Sequence, residues 1–163
     1  MIVSITGHRP EKIPDLNYVY EELKRVYAEL GVTKVIQGMA AGVDLTSAKA
    51  AYHSDIPFVC ARPWAGHKPR KADEKAYEQA LKYAVEVVDV DPSMDYAGPW
   101  VYQKRNEWMV DHAEYVIAVW DGSTGGTKNC VDYAVSQSKR MLVLSPTKKN
   151  GYTQPFNPEV DMG

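Results

Sequence analysis

The 163-residue sequence predicts an α/β fold, a Rossmann-like three-layer sandwich around a mostly parallel central sheet. Three observations carry that expectation. Short apolar runs alternate with helical patterns, the order that builds a parallel sheet with helices on both faces. Several runs are unbroken and rich in valine and isoleucine, as in strands covered on both sides. Glycine-rich turns follow three of the runs directly, where open parallel sheets gather ligands.

Six strands are expected, at Ile2–Thr6, Lys34–Gln37, Pro57–Ala61, Val85–Val90, Tyr115–Trp120 and Met141–Ser145. Between the first two, Leu16 to Leu30 sets Val19, Leu23, Val26, Tyr27 and Leu30 on one helical stripe, and Gly31 suits the cap. Asp44 to His53 is alanine-rich and reads as a short helix. Lys71 to Ala84 carries Ala72, Ala76, Ala80 and Ala84 at four-residue spacing, with Tyr77 and Leu81 beside them. Helices over Val101–Ala113 and Thr127–Ser138 complete the set. Asp91–Trp100, with two prolines and a glycine, is a long loop. The domain is expected to span 1–147, followed by an irregular tail over 148–163, rich in Pro, Gly, Asn and Lys, that folds over a neighbouring surface or stays apart.

The composition is that of an ordinary globular domain, 45% hydrophobic and 25% charged. The formal charge of −2 lacks the basic excess of a nonspecific duplex-DNA binder, so nucleic acid is disfavoured as the main partner. Cys60 and Cys130 have no metal-ligand spacing. No signal peptide or membrane-length apolar run is read, and a reducing cytoplasm is the expected location.

Three turns concentrate the chemistry. Thr6-Gly7-His8-Arg9 follows the first strand; its glycine permits close approach to the backbone, and arginine suits bidentate phosphate contacts. Gly38-Met39-Ala40-Ala41-Gly42-Val43-Asp44 leads from the second strand into a helix whose free amides attract an anion. Asp44 serves there as a helix cap or meets a ligand hydroxyl, with capping the favoured of the two. Asp121-Gly122-Ser123-Thr124-Gly125-Gly126-Thr127 offers a concave array of N–H and O–H donors at a helix start, without Walker A spacing. Arg105 and Met109 share a helix face from which Arg105 reaches toward these turns. Trp64 and His67, after the third strand, are placed to stack on bases. Lys68, Arg70 and Lys71 form a small basic cluster.

The ordered set GHRP, GMAAGVD, RNEWMV and DGSTGGT resembles the SLOG superfamily, the Rossmann-like group that includes the LOG phosphoribohydrolases, YpsA-like proteins and DprA. The likeness runs from Ile2 to about Leu144 and is strongest to small YpsA-like or phage-type members. It implies a pocket for a nucleotide or a nucleotide-derived phosphate ligand, with no metal and no organic cofactor. Homo-oligomers are common among such proteins, and the Asp91–Trp100 loop or the next helix offers a face. Arg105 matches the arginine of the LOG signature, with Met109 at the right distance, and Gly125 or Gly126 with Thr127 matches its Gly-Thr. Asn106 replaces a lysine, and Cys130 stands where LOG enzymes carry their glutamate. A glycosidase of that kind needs a carboxylate beside the ribose. Binding, as in a sensor, is therefore the leading expectation. N-glycosidase or transferase action on nucleoside 5′-monophosphates is the alternative, with Arg105 and Glu107 as candidate catalytic residues, and a DprA-like association with single-stranded DNA the second.

Overall fold

A computed structural model describes residues 1–147 and the backbone of 153–156. Seven strands form one sheet in the order β4-β3-β2-β1-β5-β6-β7. Strands β1 (Ile2–Gly7), β2 (Lys34–Gln37), β3 (Phe58–Trp64), β4 (Glu86–Asp91), β5 (Tyr115–Val119) and β6 (Arg140–Leu144) pair in parallel. Strand β7 (Thr153–Phe156) adds an antiparallel edge to β6, so this part of the expected irregular tail is a strand. The rest of that tail lies outside the described residues.

Helices α1 (Leu16–Leu30), α2 (Val43–His53), α3 (Glu74–Tyr83), α4 (Trp100–Asp111) and α5 (Gly126–Ser136) connect the strands. The chain runs outward from β1 to β4, then returns to place β5 on the other side of β1. That reversal opens a crevice at the carboxyl ends of β1 and β5. Val3, Ile5, Val35, Ile117 and Val119 join a core with α1 and α2 on one face of the sheet. Val110, Val116, Ala118, Cys130 and Met141 form the core on the other.

Helix α1 matches its predicted span. Asp15 caps it by accepting from the amides of Asn17 and Tyr18, and Gly31 ends it in the left-handed region at φ 65°. Three local expectations need correction. Strand β3 runs on through Arg62 and Pro63 to Trp64, because Arg62 pairs across to Asp89 on β4 with Nε and Nη2 at 2.6 and 3.1 Å from its two carboxylate oxygens. The Lys71–Ala84 segment opens as a 3-10 turn (Lys71–Asp73), and Ala72 and Ala76 are exposed while Tyr77 and Ala80 are buried. A four-residue step overshoots the helical period, so a strict i+4 stripe winds off the core face. Strand β4 is the sheet edge, leaving Val85 and Val87 exposed where a fully covered strand was expected.

Candidate functional site

A cavity of about 710 Å³ sits at the crevice, at the carboxyl ends of the central strands. Its walls come from the β1, β2, β3 and β5 turns and from one face of α4.

After β1, Gly7 leaves room for helix α2 as well as lining the cavity. A Cβ there would meet the Val43 side chain at 2.6 Å. Gly42 is equally constrained: its φ is 90°, and a Cβ would lie 2.7 Å from the His8 carbonyl oxygen. These two contacts clamp α2 to the end of β1. His8 is buried, with Nε2 2.9 Å from Asp121 Oδ1 and 3.2 Å from the Asp121 amide nitrogen. Protonated Nε2 donates to the carboxylate; unprotonated, it accepts from the amide.

The β2 turn is held from inside. Buried Gln37 accepts from the Met39 amide through Oε1 at 2.7 Å, and Met39 sits at φ 67°, rare for a residue with a side chain. Asp44, in the first turn of α2, accepts from the Ala40 amide at 3.2 Å. It therefore ties back the loop and does not cap the free helix amides, since the cap position is Gly42 with no side-chain bond. Burial pushes the Asp44 carboxyl up to about 6, against the opposing pull of Arg105 and of the Ala40 and Gly38 amides.

Arg105 is the central charge. It is 8% exposed, and its Nη1 donates to the Gly38 carbonyl at 2.7 Å while Nη2 donates to Asn106 Oδ1 at 3.2 Å. Its Nε is buried with no partner. Burial pulls its pKa down, although Asp44 favours the charged form. Gly38 is glycine because a Cβ would fall 2.8 Å from Arg105 Nε. A buried guanidinium with a donor left over is costly unless an acceptor arrives.

The β5 turn is built around Asp121. Its Oδ1 accepts from the Ser123 amide at 2.9 Å and from the Ser123 hydroxyl at 2.5 Å. Those bonds, with His8 behind them, hold its carboxyl well below the usual range. The turn then delivers Gly125, at φ 137°, as the cap residue of α5, and no side-chain hydrogen bond caps this helix. Its first-turn amides thus keep their partial positive charge on the cavity wall.

The cavity brings together Thr6, Gly7, His8, Arg9, Met39, Ala40, Asp44, Arg105, Gly125, Gly126 and Thr127. Gly38 and Gly42 lie behind the wall, and Asp121, Gly122 and Ser123 shape the turn without lining it. Glu107 is a correction. It accepts from Gln103 at 3.3 Å and is not among the lining residues, being two positions, and so more than half a turn, beyond Arg105 on α4. Trp64 is absent from the lining too. Sequence reasoning missed Lys12 and Tyr102 as wall residues, whereas Thr124 belongs to the donor turn it singled out, Asn106 to the helix motif, and His67, Lys68 and Arg70 to the base-stacking and basic segment after β3. Tyr102 lies three residues before Arg105 on the same helix face, a spacing that would have found it. Arg70 is neutralised by Glu11 and Asp73, at 2.6 and 2.7 Å, whereas Arg9 and Lys68 form no ion pair among the described residues.

Cys130 is fully buried, and Thr6, Arg105 and Asp44 all act on its thiol, which burial pushes up to about 11. Such a thiol is no nucleophile at neutral pH. Asp132, the next carboxylate along α5, is exposed and paired with Lys128 at 2.7 Å. Among the described residues no cluster of three or more His, Cys, Asp or Glu is placed to hold a metal ion, and no helix is long and apolar enough to cross a membrane.

Comparison with known proteins fits this geometry. The family model described as the YspA SLOG family matches residues 3–145. The chain is a member of the SLOG family. It is 33% identical over 144 residues to the uncharacterized SPbeta prophage-derived protein YoqJ of Bacillus subtilis (strain 168), an alignment covering 76% of this chain and 84% of that one. The fold is shared with DNA processing protein A (DprA) of Streptococcus pneumoniae, with a TM-score of 0.72 at 14% identity over 91% of this SLOG chain. The match spans 52% of that longer protein. It is shared too with DNA processing protein A of Helicobacter pylori, whose structure is described by its single-stranded DNA binding mode (TM-score 0.71, 16% identity, 99% of this chain, 71% of that one). A molybdenum cofactor binding protein from Rippkaea orientalis has a TM-score of 0.61 at 18% identity, covering 99% of this chain and 92% of that one. With DNA-processing proteins among these neighbours, the expectation that nucleic acid is an unlikely partner is not supported.

Proposed function

We infer that this SLOG protein is a binding module that holds a nucleotide or nucleotide-derived phosphate ligand in the crevice cavity. One observation carries the reading: Arg105 lines the cavity, buried, with an unused Nε donor, and the same cavity contains the uncapped start of α5. A phosphate there gains a charge-assisted contact and helix-terminal amides together. The molybdenum cofactor binding relative fits a small-molecule site on this fold. Glycosidic hydrolysis has weaker support, since Cys130 replaces the usual carboxylate and Glu107 lies off the cavity. Calorimetric titration with nucleoside phosphates and nucleotide-sugars is the test. Binding that Arg105→Ala abolishes is expected; silence from every phosphate-bearing compound defeats the reading. Incubation with nucleoside monophosphates and chromatography for free base decides the hydrolytic alternative.

One surface favours a second reading, single-stranded DNA. Tyr96 and Trp100 are about half exposed, and Lys104 stands 5.5 Å from the centre of the Trp100 ring. Aromatic faces with cations suit stacked bases. A salt-sensitive gel shift with oligonucleotides, lost in Trp100→Ala, supports it; no shift at low salt removes it.

A further inference from the structure

Three features lie at the ends of β5, β2 and β3, along one row across the cavity. The uncapped start of α5 follows β5. Arg105 bonds to Gly38 at the end of β2. His67 follows β3 and lines the cavity with Tyr102. From β5 through β1 and β2 to β3 there are three strand intervals, which at ~4.8 Å each span about 14 Å.

The β3 end of this row is an aromatic seat. The Trp64 ring meets His67 edge-on at 4.9 Å and 85°, and Tyr102 at 5.9 Å and 82°. No ring contact joins His67 to Tyr102 among the described residues, so both stand on Trp64 apart from one another. Tyr77 fixes the imidazole, its hydroxyl donating to the His67 carbonyl at 3.0 Å and accepting from Nδ1 at 2.9 Å. Burial, then the nearby Arg105, Arg62 and Arg9, pull the His67 pKa down to about 4, so the ring is neutral at pH 7. Arg105 Cζ lies 5.9 Å from the Tyr102 ring centre, joining this seat to the anion seat beside it.

We propose that the cavity takes a nucleoside diphosphate or a derivative of one, with its base on the His67–Tyr102 seat and its two phosphates between Arg105 and the α5 N-terminus. This deepens the phosphate-ligand reading and rests on it. A nucleoside monophosphate with its base at β3 brings its one phosphate to Arg105 and stops short of α5. A second phosphate in line extends the anion from Arg105 toward the α5 amides. Trp64 acts from behind, holding both rings upright without touching the ligand.

The test is calorimetry on the full chain with ADP, GDP, CDP and UDP, their monophosphates, and pyrophosphate. At least one diphosphate is expected to bind roughly tenfold or more tightly than its monophosphate. Tyr102→Leu is expected to weaken that diphosphate about tenfold, Tyr102→Phe to restore it, and neither to change pyrophosphate binding. Equal affinity for mono- and diphosphates overturns the proposal. So does a Tyr102→Leu protein that keeps its diphosphate affinity, or one that loses pyrophosphate equally. If pyrophosphate and every nucleotide fail to bind, the phosphate-ligand reading itself has failed.

Discussion

Gly38→Ala tests how the cavity positions its arginine. An alanine Cβ would lie 2.8 Å from Arg105 Nε, 2.9 Å from Cζ and 3.0 Å from Cδ, where ordinary contact begins at 3.4 Å. The guanidinium must retreat by about 0.6 Å. That motion strains or breaks the 2.7 Å bond from Nη1 to the Gly38 carbonyl. A buried hydrogen bond from a charged group contributes about 1.5–3 kcal/mol. Alanine returns roughly 0.4–1 kcal/mol by restricting the unfolded chain. The net loss is about 1–2 kcal/mol, a fall in Tm of roughly 2–8 °C for a domain of this size. Displacement also takes Arg105 off its anion seat, so affinity for phosphate-bearing ligands drops about tenfold. Thermal unfolding and calorimetry on the same preparation read both effects. A variant with unchanged Tm and unchanged affinity would refute the account of why glycine stands there.

Gly42→Ala and Gly125→Ala separate crowding from strain. Gly42 has φ 90° and would press a Cβ onto backbone atoms of His8, Arg9 and Pro10, so a loss of about 3–5 kcal/mol is expected in denaturant titration. Gly125 has φ 137° with nothing within 4 Å, so only strain applies, about 1–3 kcal/mol; equal losses would contradict the packing argument. The buried titrating pair predicts opposed pH effects. Between pH 6.5 and about 4 the unfolded chain protonates His67 before the folded chain does, so stability falls on acidification. Asp44 does the reverse: between about 6 and 3.8 the folded chain holds its proton and the unfolded chain does not, so stability rises on acidification. Asp44→Asn removes that gain, ~2–3 kcal/mol at about 1.36 kcal/mol per unit. Its acid loss between pH 6 and 4 should be steeper than the parent's in urea titrations; a shallower loss contradicts the burial of Asp44.

Strands β1 to β6 and α1 were legible because their signals are local. Runs rich in valine and isoleucine mark β1 and β5, and Asp15 and Gly31 bracket a regular stripe. The edge position of β4 was not legible, since Val85 and Val87 read as core until the strand order is known. Of the site, the residues that follow β1 and β5 directly were found, because any parallel sheet delivers them to its carboxyl edge. The packing roles of Gly7, Gly38 and Gly42 were not legible. Each makes room for another side chain or backbone segment, and sequence alone does not show which. Tyr102 is not legible as a wall residue because it reaches the cavity and the Trp64 ring only when α4 packs against β3.

The central claim is tested most directly by a ¹⁵N NMR titration that follows the backbone amides as ADP or pyrophosphate is added. Saturable downfield shifts are predicted, largest at Gly125, Gly126 and Thr127, with the Arg105 Nε–H signal moving in step. Shifts confined to other surfaces, or amides at the start of α5 that stay still while ligand binds, would contradict it.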